Sequence, residues 1–149
     1  SIRFNIALSV LNQLARFGVI DTKAQKRVTR YYAEKFSIRT PSMEQRVRNL
    51  SGGNQQKVVL AKTLAADTNI LIFDEPTRGI DVGSKQEIYH LMVDLVNQGK
   101  TILMISSDME ELLGMSDRLI VLCEGKYMGE VPRDKFDQRT IIELASGQH

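Results

Sequence analysis

The stretch NILIFDEP, residues 69–76, is an apolar, β-branched run that ends in two carboxylates and a proline. A short run of this kind is typical of a strand that is buried in a parallel sheet. The elements expected after it are a helix at 84–98 ended by Gly99, a second buried strand at 101–106, a short helix around 109–114 and a strand at 118–123. This order of strand, helix, strand, helix and strand predicts an α/β fold with a parallel sheet and right-handed crossovers.

Helical patterns precede this core, and a hairpin with a helix follows it. Residues 1–47 are expected to be helical. Two apolar faces are predicted there, the first from Ile6, Val10, Leu11, Leu14 and Phe17, the second from Val28, Tyr31, Tyr32 and Phe36. The basic cluster of Lys23, Lys26, Arg27 and Arg30 is expected to face solvent. Glu124-Gly125 is predicted to join residues 118–123 and 126–131 into a hairpin, and 138–146 to form a closing helix.

Composition limits the class of protein to which the chain can belong. The chain has 149 residues, 42% of them apolar and 26% charged, which is typical of one globular domain. Its net charge of +2 is too small to indicate binding of nucleic acid or an anionic membrane. The single Cys123 excludes a disulfide framework, and neither a leader nor a long apolar span is present, so we expect a cytosolic location. The start at Ser1 suggests a processed chain or a segment of a longer protein.

A glycine pair precedes the helical pattern of residues 54–66. We call Leu50-Ser51-Gly52-Gly53-Asn54 the SGG segment. Glycines allow close approach of a ligand to the backbone, and the unpaired N–H groups of a helix start favour an anion. This interpretation predicts a phosphate contact. The alternative is that Ser51 is an ordinary N-cap, with Gln55 adding a polar first turn.

The carboxylates at the end of the 69–76 run are Asp74 and Glu75. In an open α/β sheet ligands bind beyond the carboxyl ends of the strands. One carboxylate there can hold Mg²⁺, and its neighbour can orient and deprotonate a water molecule. The alternative is that the pair caps the next helix or lies in solvent, with Pro76-Thr77 forming a simple turn.

Together these motifs resemble the nucleotide-binding domain of ABC transporters. By this resemblance the SGG segment is the signature loop, whose Ser51, Gly52, Gly53 and Asn54 contact the γ-phosphate of an ATP held by the opposite domain. Residues 70–75 are similar to the Walker B strand, with Asp74 as the Mg²⁺ ligand and Glu75 as the general base. Gly79-Ile80-Asp81 resembles the D-loop, in which Asp81 couples the two sites of a head-to-tail dimer.

Three further stretches narrow the resemblance. NQQK at 54–57, TRGIDVG at 77–83 and GMSDR at 114–118 are similar to the second half of fused ATPases that energise bacterial uptake of ribose, galactose and other monosaccharides. The resemblance implies ATP and Mg²⁺ as cofactors, and a location at the cytoplasmic face of the bacterial membrane. It implies as partners a first ATPase half or second ATPase copy, membrane permease subunits in contact near residues 1–47 and, indirectly, a periplasmic or extracellular sugar-binding protein. No nucleic-acid partner is expected.

The chain departs from the family pattern in two ways. It contains no Gly-x₄-Gly-Lys-Ser/Thr motif, so we expect the P-loop to lie upstream of Ser1. Residues 1–149 are then a partial domain, with 1–66 as a helical signature subdomain and 67–149 as the C-terminal part of the α/β core, and we expect this fragment to be inactive alone. Ser107 stands where many ABC ATPases have a switch histidine, and a hydroxyl cannot shuttle a proton near neutral pH as imidazole does.

Two alternative functions remain at this point. The first is a truncated, non-enzymatic remnant or interaction module, which the lack of a P-loop motif favours. The second is an ABC-type ATPase that acts on nucleic acid or ribosomes. The near-neutral charge and the lack of sustained heptads argue against the second alternative.

Overall fold

A computed structural model of the chain describes residues 1–147. The chain divides into two compact units, one that ends at Ile105 and one that begins at Ser106. The family resemblance predicts a different boundary, between a helical signature subdomain (1–66) and the C-terminal part of the α/β core (67–149). That boundary stays a prediction.

The first unit begins with helices. Its first part comprises α1 (Ile2–Ala7), a 3₁₀ turn (Leu8–Val10), α2 (Leu11–Leu14), β1 (Ala15–Arg16), β2 (Val19–Ile20) and α3 (Thr22–Lys35). The rest comprises a 3₁₀ turn (Val47–Asn49), α4 (Gly52–Ala65), β3 (Ile70–Asp74), α5 (Val82–Asn97) and β4 (Thr101–Ile105). Helix α1 packs on α3 and α4, and it buries Ile2 and Ile6 completely. Buried residues recur along α4 from Gly53 to Ala65, and this helix also contacts α3.

The expectation of helix throughout residues 1–47 is wrong at residues 15–21 and at residues 36–46. Phe17 and Gly18 form the turn between β1 and β2, with φ angles of 51° and 78°. A two-residue hairpin turn of this type needs positive φ at both central residues, which Gly18 adopts without steric strain. Phe17 is therefore 94% exposed instead of lying on a buried helical face.

The prediction of an apolar face on α3 is partly wrong. Tyr31 is exposed, whereas Gln25, Thr29 and Ala33 are the buried residues of α3. Thr29 fits this environment because its hydroxyl donates to the backbone carbonyl of Gln25 within the helix. The basic cluster of α3 faces solvent, as predicted.

Strands β3 and β4 pair in parallel, with Ile70 opposite Thr101 and Asp74 opposite Ile105. Helix α5 connects them, as predicted, and ends before Gly99, whose φ is 85°. The expectation that both strands are buried on both faces is wrong. Leu71 and Phe73 of β3 are buried, but the residues on either side of them in the strand are exposed. The exposed face carries Ile70, Ile72, Leu103 and Ile105, each at least 48% exposed.

The second unit contains α6 (Met109–Met115), β5 (Arg118–Cys123), β6 (Lys126–Pro132), a 3₁₀ turn (Arg133–Lys135) and α7 (Gln138–Ala145). The hairpin prediction is confirmed: β5 and β6 are antiparallel, and Glu124 and Gly125 both have positive φ. The expectation that 118–123 joins the parallel sheet is wrong, because the two-residue turn pairs β5 with β6 in a separate two-stranded sheet. Among the helices described for residues 1–147, none has the length and apolar character that a bilayer span requires.

Candidate functional site

Ser51 is the N-cap residue of α4, but its side chain makes no capping hydrogen bond to the first turn. Its hydroxyl oxygen instead accepts a hydrogen bond from Asn54 Nδ2 at 2.9 Å. The side-chain amide of Gln55 donates through Nε2 to the backbone carbonyl oxygen of Leu50 at 2.9 Å. The first turn of α4 therefore has the polar residues that the cap interpretation predicted, but they leave its N–H groups without a side-chain acceptor among the described residues.

The two glycines of the SGG segment differ in their surroundings. A Cβ atom at Gly53 would lie 2.5 Å from Ser84 Oγ and 2.7 Å from Ser84 Cβ, so only glycine fits there without a shift. A Cβ at Gly52 would lie 3.6 Å from the carbonyl oxygen of Gly79 and the side chain of Ile80, which is ordinary contact. Gly52 is exposed and Gly53 is buried. The structure thus brings the SGG segment against residues 79–84, the stretch that contains the predicted D-loop.

Asp81 is the N-cap of α5. Its Oδ1 accepts from the backbone N–H of Ser84 at 2.9 Å, and its Oδ2 accepts from the Ser84 hydroxyl at 2.8 Å. These hydrogen bonds, the backbone one foremost, hold the pKa of the Asp81 carboxyl below its ordinary value. The structure therefore gives Asp81 a capping role within this chain, and its predicted coupling of two ATP sites stays a prediction.

A charged pair joins α4 to α5 one turn further along. Lys57 is buried, and its Nζ donates to the carboxylate of the half-exposed Glu87 at 2.5 Å. The guanidinium of Arg39 lies 3.8 Å from the same carboxylate. Lys57, through its hydrogen bond and then its charge, lowers the pKa of Glu87. The Glu87 carboxylate thus gives the buried Lys57 Nζ a hydrogen-bond acceptor between the two helices.

Asp74 and Glu75 lie at the carboxyl end of β3, where the sequence predicted them. Asp74 is exposed, and the backbone N–H of Glu75 donates to the carbonyl oxygen of Ile105 at 2.8 Å, which extends the ladder past the end of the strand. Glu75 has a φ of 48°. This left-handed conformation is uncommon for a residue with a Cβ, and such outliers concentrate at functional sites.

Ser107 lies in the second unit and is exposed. It precedes Asp108, the N-cap of α6, which accepts from the N–H groups of Glu110 and Glu111. Ser106 donates to the carboxylate of the buried Glu111 and accepts from the N–H of Asp108 at 3.0 Å. The local structure around Ser107 is therefore a capped helix start.

Sequence reasoning missed Ser84, Lys57, Glu87 and Arg39. A signal existed for Lys57, which is a charged residue inside a helical run whose neighbours Val58, Leu60 and Ala61 are apolar. Ser84 had no signal of its own, because its importance comes from the contact with Gly53. Within residues 1–147 no group of three or more His, Cys, Asp or Glu side chains could hold a metal ion, which leaves Asp74 as a single-carboxylate candidate.

A model of the family described as ABC transporter matches residues 3–78. The xylose import ATP-binding protein XylG of Thermoanaerobacter pseudethanolicus is 52% identical over 143 residues, which are 96% of this chain and 28% of the relative. The ribose import ATP-binding protein RbsA of Clostridium perfringens is 52% identical over 132 residues, 89% of this chain and 26% of the relative. The chain thus spans less than a third of the length of these curated relatives.

The fold also matches a solved structure, an ATP-binding cassette in a dimeric, post-hydrolysis state bound to ADP and Pi. The TM-score is 0.74 at 21% identity, over 91% of this chain and 58% of that one. At this identity the likeness shows the fold, which agrees with the α/β prediction for the region around β3, α5 and β4.

Proposed function

The chain belongs to the ABC transporter family, and from this premise we propose that it is part of an ATPase that hydrolyses ATP to drive import of a monosaccharide. The curated relatives are import ATP-binding proteins for xylose and ribose. Their names support a monosaccharide as the transported class, without selecting one sugar. The parent protein would lie peripherally at the cytoplasmic face of a bacterial membrane.

The observation that carries the proposal is the start of α4. Ser51 and Gly52 are exposed, and the first turn has neither a side-chain cap nor an acidic residue among the described residues. Free N–H groups and the positive end of the helix dipole bind anions. We propose that residues 51–54 of the SGG segment complete an ATP site whose P-loop belongs to a first ATPase half or a second ATPase copy. The dimeric, ADP-bound cassette of the same fold supports this arrangement.

The catalytic roles are assigned to the end of β3. We propose Glu75 as the general base that accepts a proton from the attacking water as the bond between the γ-phosphorus and the β–γ bridging oxygen breaks and ADP leaves. Asp74 would hold Mg²⁺, and one exposed carboxylate fits this ion because it is usually bound by one or two carboxylates together with substrate phosphates. When bound there, Mg²⁺ neutralises phosphate charge. Ser107 would offer a hydrogen bond at the switch position.

Further partners follow from the proposal. Membrane permease subunits would contact the region of residues 1–47, and a sugar-binding protein outside the membrane would act through the permease. Residues 1–66 and 67–149 would form a helical signature subdomain and the C-terminal part of the α/β core. Because the sequence holds no P-loop motif, we propose that this chain alone neither binds ATP tightly nor hydrolyses it.

Equilibrium ATP binding tests the proposal. The chain is titrated with ATP, with and without Mg²⁺, alone and then mixed with a P-loop-bearing ABC ATPase half of a monosaccharide importer. We expect binding that tightens in the mixture and weakens with Ser51→Arg, whereas Val59→Arg, at an exposed position of the same helix, leaves it unchanged. Tight Mg²⁺-dependent binding to the chain alone would contradict the proposed location of the nucleotide site, which needs the P-loop of another ATPase half.

A non-enzymatic remnant is the second candidate, favoured by the lack of a P-loop motif in the sequence. It predicts no effect of the chain on ATP binding in any mixture. Steady-state ATPase activity of the mixture that requires this chain and disappears with Ser51→Arg would exclude it.

A further inference from the structure

The amide of Asn54 has an orientation that its hydrogen bonds define. The backbone N–H of Arg39 points at one terminal atom of Asn54, at 2.8 Å. A backbone N–H is a donor only, so the atom that faces it must be the acceptor oxygen, Oδ1. The other terminal atom is therefore Nδ2, which carries two protons and can only donate.

Nδ2 of Asn54 lies 2.9 Å from the hydroxyl oxygen of Ser51. Since Nδ2 donates, Ser51 Oγ accepts, and the hydroxyl proton of Ser51 is turned away from Asn54. Ser51 is exposed, and no hydrogen bond described for residues 1–147 uses that proton. The hydroxyl is thus held as a donor toward solvent at the start of α4.

A hydroxyl that donates is the form that an anion requires. A phosphate oxygen only accepts, and hydrogen bonds to charged groups are roughly twice as strong as neutral ones. If Asn54 presented an oxygen to Ser51, the hydroxyl proton would be used within the protein and the phosphate would meet a lone pair.

We infer that Asn54 is a positioning residue, which orients the Ser51 hydroxyl to donate to the γ-phosphate of ATP and does not itself touch the nucleotide. The inference rests on the proposed function and divides the roles within the SGG segment. Ser51 and the first-turn N–H groups bind the phosphate. Asn54 acts through Ser51, and the Arg39 backbone acts through Asn54.

A double-mutant cycle distinguishes positioning from direct contact. Affinities for ATP and ADP are measured in the mixture with the P-loop-bearing half, for the natural chain, Ser51→Ala, Asn54→Leu and the double variant. Loss of one hydrogen bond to a charged group predicts about 10-fold weaker ATP binding for each single variant. ADP binding stays unchanged, which a general structural defect would not allow. In the Ser51→Ala background, Asn54→Leu causes no further loss.

Asn54→Asp is the second variant, because it keeps the size of the side chain and an acceptor for Arg39 but presents an oxygen to Ser51. Gln56→Glu, which adds the same charge in the same turn, is its matched control. We expect Asn54→Asp to weaken ATP binding about 10-fold more than Gln56→Glu does.

The outcomes separate the two claims. Ser51→Ala without effect on ATP binding would overturn the proposed function, and the inference with it. A weakening by Ser51→Ala combined with additive losses in the double variant, or with equal effects of Asn54→Asp and Gln56→Glu, would overturn only the role of Asn54.

Discussion

The first turns of helices α4 and α5 lie against each other, but only α5 has a side chain that caps its backbone N–H groups. At α5, both carboxylate oxygens of Asp81 accept hydrogen bonds from Ser84. At α4, the Ser51 hydroxyl caps nothing and accepts from Asn54 instead. A capped start is satisfied within the fold, whereas an uncapped, exposed start keeps its positive end available for an anion. The comparison separates a helix start that is capped within the fold from one that is open to the proposed phosphate contact.

The sharpest test of the comparison is the contact that joins the two starts. Gly53→Ala places a methyl group 2.5 Å from Ser84 Oγ, so we expect the chain to lose about 1–3 kcal/mol of stability. Gly52→Ala meets only ordinary contacts and gains up to about 1 kcal/mol from helix propensity. Denaturant unfolding of both variants measures the difference. Equal stabilities would contradict the packing role of Gly53, and Ser84→Gly should restore part of the loss in the Gly53→Ala background.

The ion pair between the helices is the next test. Glu87→Ala leaves the Lys57 ammonium buried without its carboxylate, and because Glu87 is half-exposed we expect a loss of only about 1 kcal/mol. Lys57→Met removes the charge and fills similar space, so its effect should be smaller. Thermal unfolding compares the two variants. A larger loss for Lys57→Met would show that packing of the lysine stem, and not its charge, holds the helices together.

Acid should weaken the capped start of α5. The Ser84 hydrogen bonds lower the pKa of Asp81 from its ordinary 3.8, and Lys57 lowers the pKa of Glu87 from its ordinary 4.5. The stabilisation from both groups is complete above those ordinary values and is lost as pH falls through the lowered ones. Stability measured between about pH 6 and about pH 3 should therefore fall less steeply in Asp81→Asn than in the natural chain. Parallel curves would mean that Asp81 contributes nothing to the acid sensitivity.

The smallest expected effect is that of Ser51→Ala on stability. The Ser51 hydroxyl bonds no first-turn N–H group, so the variant should unfold at nearly the same temperature as the natural chain. Asp81→Ala should unfold at a lower temperature, because α5 loses its cap. Thermal unfolding of the pair checks this order. A reversed order would break the comparison between the two helix starts.

The two hairpins show how far local pattern predicts the fold. Glu124-Gly125 stands between two apolar alternating runs, so both strands and the turn could be read from the sequence. Phe17-Gly18 forms the same kind of turn, but its strands are two residues long and follow helical spacing, so the helical period dominated the prediction. Short strands carry too few residues to define a period.

The candidate site divides in the same way. Asp74, Glu75, Asp81 and the SGG segment were found by motif, because each belongs to a contiguous run with a recognisable residue pattern. Ser84, Lys57, Glu87 and Arg39 were not, because the contacts that place them here join residues 15 to 48 positions apart in the chain, from Arg39 and Asn54 to Arg39 and Glu87. A contact between distant residues has no local signature, although Lys57 itself was marked by its charge within an apolar run.

By itself, the sequence determined the order of the main helices and strands, the family and the segments that carry its motifs, since these depend on periodicity and on contiguous residues. Only the tertiary structure decided which glycine is a packing requirement, which helix start is left uncapped, and in which direction the Ser51 hydroxyl donates. Those features depend on groups brought together from distant parts of the chain, where a difference of about 1 Å separates a hydrogen bond from a clash.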